Sequence, residues 1–552
     1  MTPTDGVGGE GGMGMQQAHK PAFEKSIFKA TFLIFIAHQL FKLAGLIQAK
    51  AMGHYLPQDA FDIVYVFAFE NCIYLIFLIG EEVLGPAFLP VFMREMNVES
   101  EKSAWAFANT VLTLQFIVLV CVALALCLFP GAVVGFLTQW SAENAPEKFK
   151  LAQDSVRSLA PALIGLSLGS TTYVLLNSYK RFFLAAFGDA VWKFCVVAFL
   201  LAGVLVTKDS ARLLVWGLVA GSLCKLLTHL FGLRDKLRNF RPALNFSHPA
   251  FKTMLMLAAP LLLGILVAKM RDQVNHVYLL SSLDQSGLMQ ANSMGRKLQN
   301  ALLYLVPYTL SIAAFPYFCE LVSKDDADGL GHLVTRFGRM LLSLFAPVAF
   351  FVAVAAVPLT ALIFGGGYFD DVAVRRTSVA LTFYTFALPA AAIETIVMQA
   401  FFANRRMITV TLIGIVFSFL SMAVSWIGIR YYGGHDLVVL AFIAGGFTLS
   451  RVLKCFTLVE MLKKNAPVFP FTETLGFLVR VLAAAGCAAF GAWVSLRAGW
   501  LSGVGGKSGE ALRLALAGGM FGVLYLAAAY GLRIAEMHEV FCLVRDKLRK
   551  RA

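Results

Sequence analysis

The chain has 552 residues, of which 59% are hydrophobic and only 14% are charged. Soluble domains are closer to half apolar and a quarter charged, so this composition excludes an ordinary soluble protein and indicates an integral membrane protein. The net charge of +14 does not favour nucleic-acid binding, because no basic stripe with interleaved aromatic residues is present. The nine cysteines show neither metal-ligand spacing nor a disulfide framework.

Residues 1–25 are polar and glycine-rich and contain no apolar signal-peptide core, so we interpret them as a disordered cytoplasmic tail. Fourteen apolar runs follow, each long enough to cross a bilayer as a helix, and together they predict an all-α membrane protein. The predicted spans are 27–52, 61–94, 104–130, 156–179, 183–206, 211–233, 251–280, 287–320, 340–364, 377–403, 408–431, 436–460, 473–497 and 511–533. The second and eighth runs exceed a simple span, which predicts tilted or bent helices.

The distribution of Lys and Arg predicts the orientation, because short loops rich in these residues stay cytoplasmic. With the N-terminus inside, the inner loops include "MREMNVESEK", "RDKLRNFR" and "LKKN", and the bias is about two to one inward. Residues 541–552 form a basic tail on the same side. We therefore expect a multi-pass membrane protein with both termini in the cytoplasm.

An internal repeat divides the chain. Asp59 and Pro90 around the second span correspond to Asp284 and Pro316 around the eighth, at separations of 225 and 226 residues. The same register places "NSYKRF" on "FANRRM". The repeat predicts two six-helix lobes of the same orientation, an arrangement in which many transporters hold substrate between the halves. The predicted domains are an N-lobe at 26–233, a cytoplasmic linker at 234–250, a C-lobe at 251–460 and two further helices within 461–540.

Four segments resemble the MurJ/MviN family, the lipid II flippases of the MOP exporter superfamily. They are "GHYLPQDAFDIVYVF" with "EEVLGPAFLPVF", "LLNSYKRFFLAAF", "LSIAAFPYF" through "PLTALIFGGGYFD", and "QAFFANRRMITVT", in the family's order over about 30–430. The resemblance implies an alternating-access flippase with two lobes around a cationic cavity. It also implies a lipid-tail groove formed by the last two helices and an undecaprenyl-diphosphate-linked saccharide as substrate.

Polar and charged side chains inside membrane spans are costly and mark cavities or pathways. They concentrate in the first, second, seventh and eighth spans, which the repeat pairs with one another. Cations are needed in such a cleft to bind a diphosphate. The substrate-binding candidates are Lys42, Lys50, Lys269, Arg271, Arg296, Lys297, Asn292 and Asn300. The gating or coupling candidates are Glu70, Glu81, Glu82, Asp272 and Glu394.

Purely structural roles remain alternatives for these side chains. Lys50 can extend to the membrane interface, and Lys269 can pair with Asp272, one helical turn away. Helical spacing places Arg271 on a different face from these two. The carboxyl of Glu394 can bind a proton or a sodium ion, or be neutral and hydrogen-bonded.

The repeat register also pairs Glu70 with Arg296 at equivalent depth, since the two positions are 226 residues apart. This predicts that the two side chains approach across the cavity in one state and separate in the other. The alternative is that they are two unrelated charges lining the cavity.

The family resemblance assigns roles to three of these residues. Lys50 occupies the position of a functional arginine at the end of the first helix, and Lys297 that of an essential arginine in the eighth. Glu81 matches a glutamate in the family's "EGAFSQAF" stretch. Two other arginine positions of the family are not kept, since they fall on Ala44 and on the Ile76–Phe77 pair. Lysine also lacks the bidentate fork of arginine, so a different polyprenyl-linked glycan remains an alternative substrate.

The favoured function is a flippase for a lipid II type peptidoglycan precursor. No nucleophile with a base, no metal motif and no P-loop is present, so we expect neither an enzyme nor a bound cofactor. Energy then comes from the membrane potential or a Na⁺ or H⁺ gradient. Cell-wall synthesis enzymes are candidate partners. The alternatives are a cation-coupled exporter of small amphiphiles and a non-transporting scaffold for envelope biogenesis.

Overall fold

A computed structural model describes residues 43–207, 209–303, 307–404, 406–498, 506–534 and 536–537. The predicted tails at 1–25 and 541–552, and the candidate Lys42, lie outside these described residues. Within them the chain is helical, and β-pairing is limited to one isolated bridge between Gly366 and Phe369. The expectation of an all-α membrane protein is therefore confirmed.

We number the described helices in chain order. In the first half they are α1 at 43–55, α2 at Gln58–Glu99, α3 at Glu101–Leu128, α4 at Pro130–Leu137, α5 at Pro146–Ser178, α6 at Phe182–Ala202 and α7 at Ser210–Gly232. The second half contains α8 at Pro249–Gln273, α9 at Leu288–Leu303, α10 at Pro307–Ser323, α11 at Ala327–Phe364, α12 at Asp371–Thr385, α13 at Leu388–Ala403, α14 at Met407–Tyr432 and α15 at Asp436–Lys463. The C-terminal pair is α16 at Phe471–Arg497 and α17 at Gly506–Gly531.

Several helices begin at residues that satisfy the free N–H groups of a first turn. Side chains of Ser100, Asp209, Asp326 and Asp370 accept hydrogen bonds from backbone N–H groups three residues further on. Such capping is worth about 1 kcal/mol per helix. Proline opens α4, α5 and α8, where its missing N–H costs nothing.

The long second helix contains a run of π-helix. Phe61–Ile73 has π geometry within α2, whose total length is 42 residues. Pro86 and Pro90 lie further along the same helix. A π-helical segment usually occurs near a functional site, and this one carries Asp62, Tyr65 and Glu70, whose contacts to α9 are described below.

Ten described helices are long and apolar enough to cross a membrane, or up to twelve if two bent pairs count as single spans. One bent pair is Pro249–Ala259 with Leu261–Ser282, which continues past the end of α8, and the other is α12 with α13, bent by 41°. Where the structure describes them, the predicted runs fall on helices; residues 27–42 of the first run lie outside the described residues, and a count of fourteen crossings stays a prediction. The eighth run is divided between α9 and α10, with residues 304–306 between them undescribed.

The helices pack mainly within the two predicted lobes. In the first, α3 and α7 both pack on α5, and α6 packs on α7. In the second, α9 packs on α12, α11 on α13, and α14 on α15. The α16–α17 pair packs on α11. Between the lobes, α8 packs along the second half of α2, and α9 packs on its first half.

Following the predicted topology, we call the end with loops 56–57, 283–287 and 365–370 the outer end. The inner end has loops 179–181, 233–248 and 464–470. Toward the inner end the second half of α2 packs on α5 and α8, while α10 packs on α13 and α11. The α2 and α9–α10 segments therefore meet near the outer end and diverge toward the inner end.

Candidate functional site between the lobes

The outer end is held closed by a carboxylate of one lobe at the helix start of the other. The buried carboxylate of Asp62 in α2 accepts hydrogen bonds from the backbone N–H groups of Gly287, at 2.8 Å, and Gln290, at 2.7 Å. Asp59, one turn earlier, accepts a hydrogen bond from the hydroxyl of Ser286. Because a helix N-terminus attracts negative charge, Asp62 fixes the start of α9 against α2.

The next contact inward is an ion pair between α2 and α9. The Lys297 ammonium lies 2.7 Å from a carboxylate oxygen of Glu70, and the hydroxyl of Ser293 donates to the other oxygen at 2.8 Å. Lys297 also donates to the Tyr65 hydroxyl at 3.2 Å and lies 4.5 Å from the centre of its ring. The side chains of Lys297 and Glu70 are 32% and 20% exposed, so water or a ligand can reach them.

This pair corrects the partner predicted for Glu70. The repeat register placed Glu70 opposite Arg296, whereas the structure pairs it with Lys297, the next residue. Successive residues of a helix point about 100° apart, because a turn takes 3.6 residues. The rotation of α9 about its axis therefore decides which cation reaches α2. The register of the sequence repeat does not predict this rotation.

Arg296 instead belongs to a cluster on the C-lobe side. Its guanidinium donates to Asp272 at 2.9 Å and contacts His276. Arg271 donates to the other oxygen of Asp272 with two nitrogens, at 2.9 and 2.7 Å. The expectation that Arg271 points away from Asp272 is therefore wrong. One carboxylate is shared by two arginines.

An aromatic ring supports this cluster. The guanidiniums of Arg271, Arg296 and Arg451 lie 5.4, 5.0 and 5.4 Å from the ring centre of Phe447. Cation–π contacts of this kind are favourable and strengthen when water is excluded. Phe447 in α15 therefore positions cations from three different helices.

Lys269 also has a different partner from the one expected within its own helix. It forms an ion pair with Glu82 of α2 at 2.6 Å rather than with Asp272. Glu81, the residue before Glu82 in α2, is half-buried, and the charged side chains near it include Lys225 and Asp189. The acidic stretch of α2 is thus divided between the interface with α8 and the interior of the N-lobe.

Two candidates lie in the packed C-lobe. Asn292 is buried and accepts a hydrogen bond from the Tyr384 hydroxyl at 2.7 Å, which links α9 to α12. Glu394 is 3% exposed and pairs with Arg451 at 2.9 Å and Lys454 at 2.8 Å. Two cations at this distance stabilise a charged carboxylate, which replaces the neutral carboxyl or cation site considered from the sequence. Asn300 is half-buried near the end of α9.

Lys50 lies apart from these clusters, at the outer end. Its ammonium donates to the carbonyl of Gly365 at 3.0 Å, and Lys507 of α17 donates to the same oxygen at 2.8 Å. The glycine loop continues with Gly367, whose φ of +65° suits glycine, and a Cβ there would lie 2.1 Å from the carbonyl oxygen of His54. The loop, α1 and α17 are thus in direct contact.

Sequence reasoning missed Asp62, Phe447 and Lys507. No role for Asp62 follows from the predicted span 61–94, although an acid one turn after Asp59 inside an apolar run is a usable signal. No signal marked Phe447, because phenylalanine is abundant in this chain. Lys507 lies between the predicted spans 473–497 and 511–533, and nothing in that loop sequence indicates its approach to Lys50.

A family comparison gives this geometry its context. The family model described as "Lipid II flippase MurJ" matches residues 48–504. The chain belongs to the lipid II flippase MurJ family. A lipid II flippase MurJ of Burkholderia cenocepacia is 26% identical over 478 residues, covering 83% of this chain and 88% of that protein. A probable lipid II flippase MurJ of Borreliella burgdorferi is 25% identical over 422 residues, covering 74% and 79%.

Solved structures agree on the fold. A lipid II flippase MurJ in an inward closed conformation matches with a TM-score of 0.69 at 15% identity, covering 91% of this chain and 99% of that one. An inward-facing MATE family multidrug transporter of the MOP superfamily matches with a TM-score of 0.63 at 12% identity, covering 77% and 95%. The MurJ family fold thus extends over nearly the whole chain.

Proposed function

We propose that this MurJ family member moves a lipid II type molecule, a polyprenyl-diphosphate-linked saccharide, across the bacterial inner membrane by alternating access. The proposal rests chiefly on the ion pair between Glu70 and Lys297, at 2.7 Å. This ion pair joins α2 and α9, the equivalent helices of the two predicted repeats, near the level where these helices begin to diverge toward the inner end. Family membership supports transport rather than catalysis.

The ion pair suggests how substrate binding and opening are linked. A diphosphate arriving from the inner end offers Lys297 stronger charge-assisted hydrogen bonds than a single carboxylate does. When Lys297 turns to the diphosphate, Glu70 loses its partner, and one of the contacts that close the outer end is released. A ligand shifts a conformational equilibrium only through such differential contacts.

The other cations then act as secondary contacts along the path. Lys269 and Arg296 are both ion-paired, with Glu82 and Asp272, so a diphosphate reaches them only by exchanging partners. Exchanging one anionic partner for another costs less free energy than leaving a partly buried cation without any partner. Charge movement across the membrane potential, worth about 2.3 kcal/mol per elementary charge per 100 mV, supplies the energy in this proposal.

Complementation tests this function directly. The gene is expressed in cells depleted of their own lipid II flippase, and growth and cell shape are measured. We expect rescue by the wild type, loss of rescue by Lys297→Ala, and partial rescue by Lys297→Arg, which keeps the charge. Lys252→Ala removes an exposed lysine near the start of α8 and is expected to rescue fully.

Failure of rescue by well-expressed wild-type protein would contradict lipid II as the substrate and favour another polyprenyl-linked glycan. Full rescue by Lys297→Ala would contradict the role of the ion pair. Wild-type rescue together with Lys297→Ala failure would also exclude the scaffold alternative, since a scaffold does not need this charge.

A further inference from the structure

An apolar cleft opens on the surface of the N-lobe near the inner end. Its volume is about 360 Å³, and it lies between α3, α5 and α7 above residues 237–242. Because α3 and α7 both pack on α5, the cleft forms where these two flanking helices diverge. Apolar side chains such as Phe116, Leu168 and Leu226 line it.

The polar groups of the lining are already used. Thr172 donates to the carbonyl of Leu168 at 3.0 Å, and Thr113 accepts the backbone N–H of Ala243 at 3.2 Å. A ligand in this cleft therefore meets hydrocarbon and has few hydrogen bonds to gain. The chemistry fits an alkyl chain.

The segment beneath the cleft is fixed to α3. Asn109 donates to the carbonyl of Asn239 at 3.1 Å, and the backbone N–H of Asn245 donates to Thr110 at 3.3 Å. Together with the bond to Thr113, these contacts hold residues 239–245 along the helix. The cleft is thus a defined part of the fold.

This segment has the composition of a membrane-interface element. Phe240, Leu244 and Phe246 are 42%, 47% and 49% exposed, and the exposed Arg238 and Arg241 lie on either side of Phe240 in the chain. The preceding helix α7 ends at Gly232, which places the segment at the boundary of the membrane. Apolar side chains with flanking arginines are typical of such a boundary.

The two arginines differ from the other cations of this region. Lys236 pairs with Glu101 and Arg181 pairs with Asp235. Among the ion pairs of the described residues, none includes Arg238 or Arg241. Two exposed arginines without a carboxylate partner are thus the chain neighbours of Leu237, Phe240 and Pro242, which line the alkyl-sized cleft.

We propose that the cleft binds one acyl chain of an anionic phospholipid, whose phosphate is held by Arg238 and Arg241. Within a bilayer an apolar cleft gains little by exchanging one hydrocarbon chain for another. Selectivity must therefore come from the headgroup charge. The bound lipid fills the space between α3 and α7 and ties residues 237–245 to the membrane.

The test is lipid binding to the delipidated full chain in detergent, measured by native mass spectrometry. Phosphatidylglycerol and phosphatidylcholine with identical acyl chains are compared. We expect preferential binding of phosphatidylglycerol, and an affinity about fivefold lower for each arginine removed in Arg238→Ala/Arg241→Ala. Arg212→Ala/Arg375→Ala removes two exposed arginines at the other end and is expected to bind as the wild type does.

A second pair of variants tests the cleft itself. Leu226→Trp fills it and is expected to weaken binding of both lipids, whereas Leu227→Trp alters the adjacent side chain, which is 62% exposed and lies outside the cleft lining. Thermal unfolding checks that both variants are folded.

Three results would overturn the proposal: equal binding of the two lipids, an equal loss in the Arg212/Arg375 control, or displacement of phosphatidylglycerol by uncharged undecaprenol. The last would assign the cleft to the substrate's own tail. The lipid-binding readout is separate from transport, so it stands or fails independently of the proposed substrate.

Discussion

The ion pair between the lobes differs from the ion pairs inside each lobe in how deeply its more buried member lies. Glu70 and Lys297, between the lobes, are 20% and 32% exposed. Lys225 and Glu394, inside the N- and C-lobe, are each only 3% exposed at the side chain and pair with Asp189 and with Arg451 and Lys454. We infer that the pair between the lobes, whose two members are both partly exposed, can exchange partners. A pair inside a lobe has one almost fully buried member, and it holds helices together.

The largest destabilisation is expected inside the N-lobe. Asp189→Ala leaves the Lys225 ammonium buried without its partner at 2.6 Å. An uncompensated buried charge typically costs about 3–5 kcal/mol. The apparent melting temperature in detergent should fall sharply, with reduced expression.

The control replaces both members of this pair. Asp189→Leu/Lys225→Met exchanges the charges for apolar groups of similar size and should recover most of the lost stability. If the double variant is as unstable as Asp189→Ala, the buried pair is not the cause.

An intermediate effect is expected at the outer closure. Asp62→Ala removes the acceptor for two N–H groups at the start of α9 and should cost about 1–2 kcal/mol. Asp62→Asn keeps an acceptor and should cost less. Labelling of Ser286→Cys by a membrane-impermeant maleimide, in a background without other cysteines, measures how often the outer end opens.

The expected order of labelling is Asp62→Ala above Asp62→Asn above the parent. Equal labelling of the three proteins would contradict the assignment of Asp62 to the closure.

A small change in stability but a large change in transport is expected at the exposed pair. Lys297→Ala should destabilise the fold by about 0–1 kcal/mol, because partly exposed ion pairs contribute little. The charge swap Glu70→Lys/Lys297→Glu should restore the contact between α2 and α9 but not transport, since the cation would then be on the wrong helix. Thermal unfolding and complementation, measured on the same variants, separate the two effects.

Transport recovered by the swap would contradict binding of the diphosphate by Lys297. It would leave the ion pair with a gating role only.

The smallest effect is expected at the inner end, where Glu101 accepts hydrogen bonds from Lys236 at 2.7 Å and from the Tyr179 hydroxyl at 2.7 Å. These hydrogen bonds lower the pKa of Glu101 in the folded state. Its contribution to stability is therefore complete above the unfolded-state pKa of about 4.3 and is lost as the pH falls through the lower folded-state pKa.

Melting curves of wild type and Glu101→Gln should differ by less than about 1 kcal/mol at pH 7. The difference should shrink as the pH is lowered below about 4. A difference that grows in acid would contradict this sign.

The neighbouring pair behaves in the same way at lower pH. Hydrogen bonds from Arg181 lower the pKa of Asp235 to about 2. This carboxylate therefore stays charged near neutral pH and adds no pH dependence to the stability there.

The fold was predictable because a membrane imposes its own length on apolar helices. The described part of each predicted span falls on a helix, whichever partner that helix packs against. The errors lie at polar ends: α5 begins at Pro146 and α11 at Ala327, whereas the apolar runs begin at 156 and 340. The helices continue into polar residues beyond the membrane boundary because their backbone hydrogen bonds do not depend on apolar side chains. Hydropathy therefore does not predict where these helices begin.

The site was predictable by helix and face but not by partner. The second, seventh and eighth spans do bring their charges together, as the repeat indicated. The pairing of Lys269 with Glu82 and of Glu70 with Lys297 depends on helix rotation and on the π-helical geometry of α2, which the sequence does not specify. The capping of α9 by Asp62 depends on how one lobe is placed against the other, which a linear pattern does not contain.

The glycine loop at 365–367 offers a practical consequence. A Cβ at Gly367 would lie 2.1 Å from the His54 carbonyl oxygen. Gly367→Val should therefore separate this loop from α1 and favour a conformation that is open at the outer end. A transporter held in this outward-open conformation cannot complete its cycle, and the variant would be suited to determining a structure of that conformation.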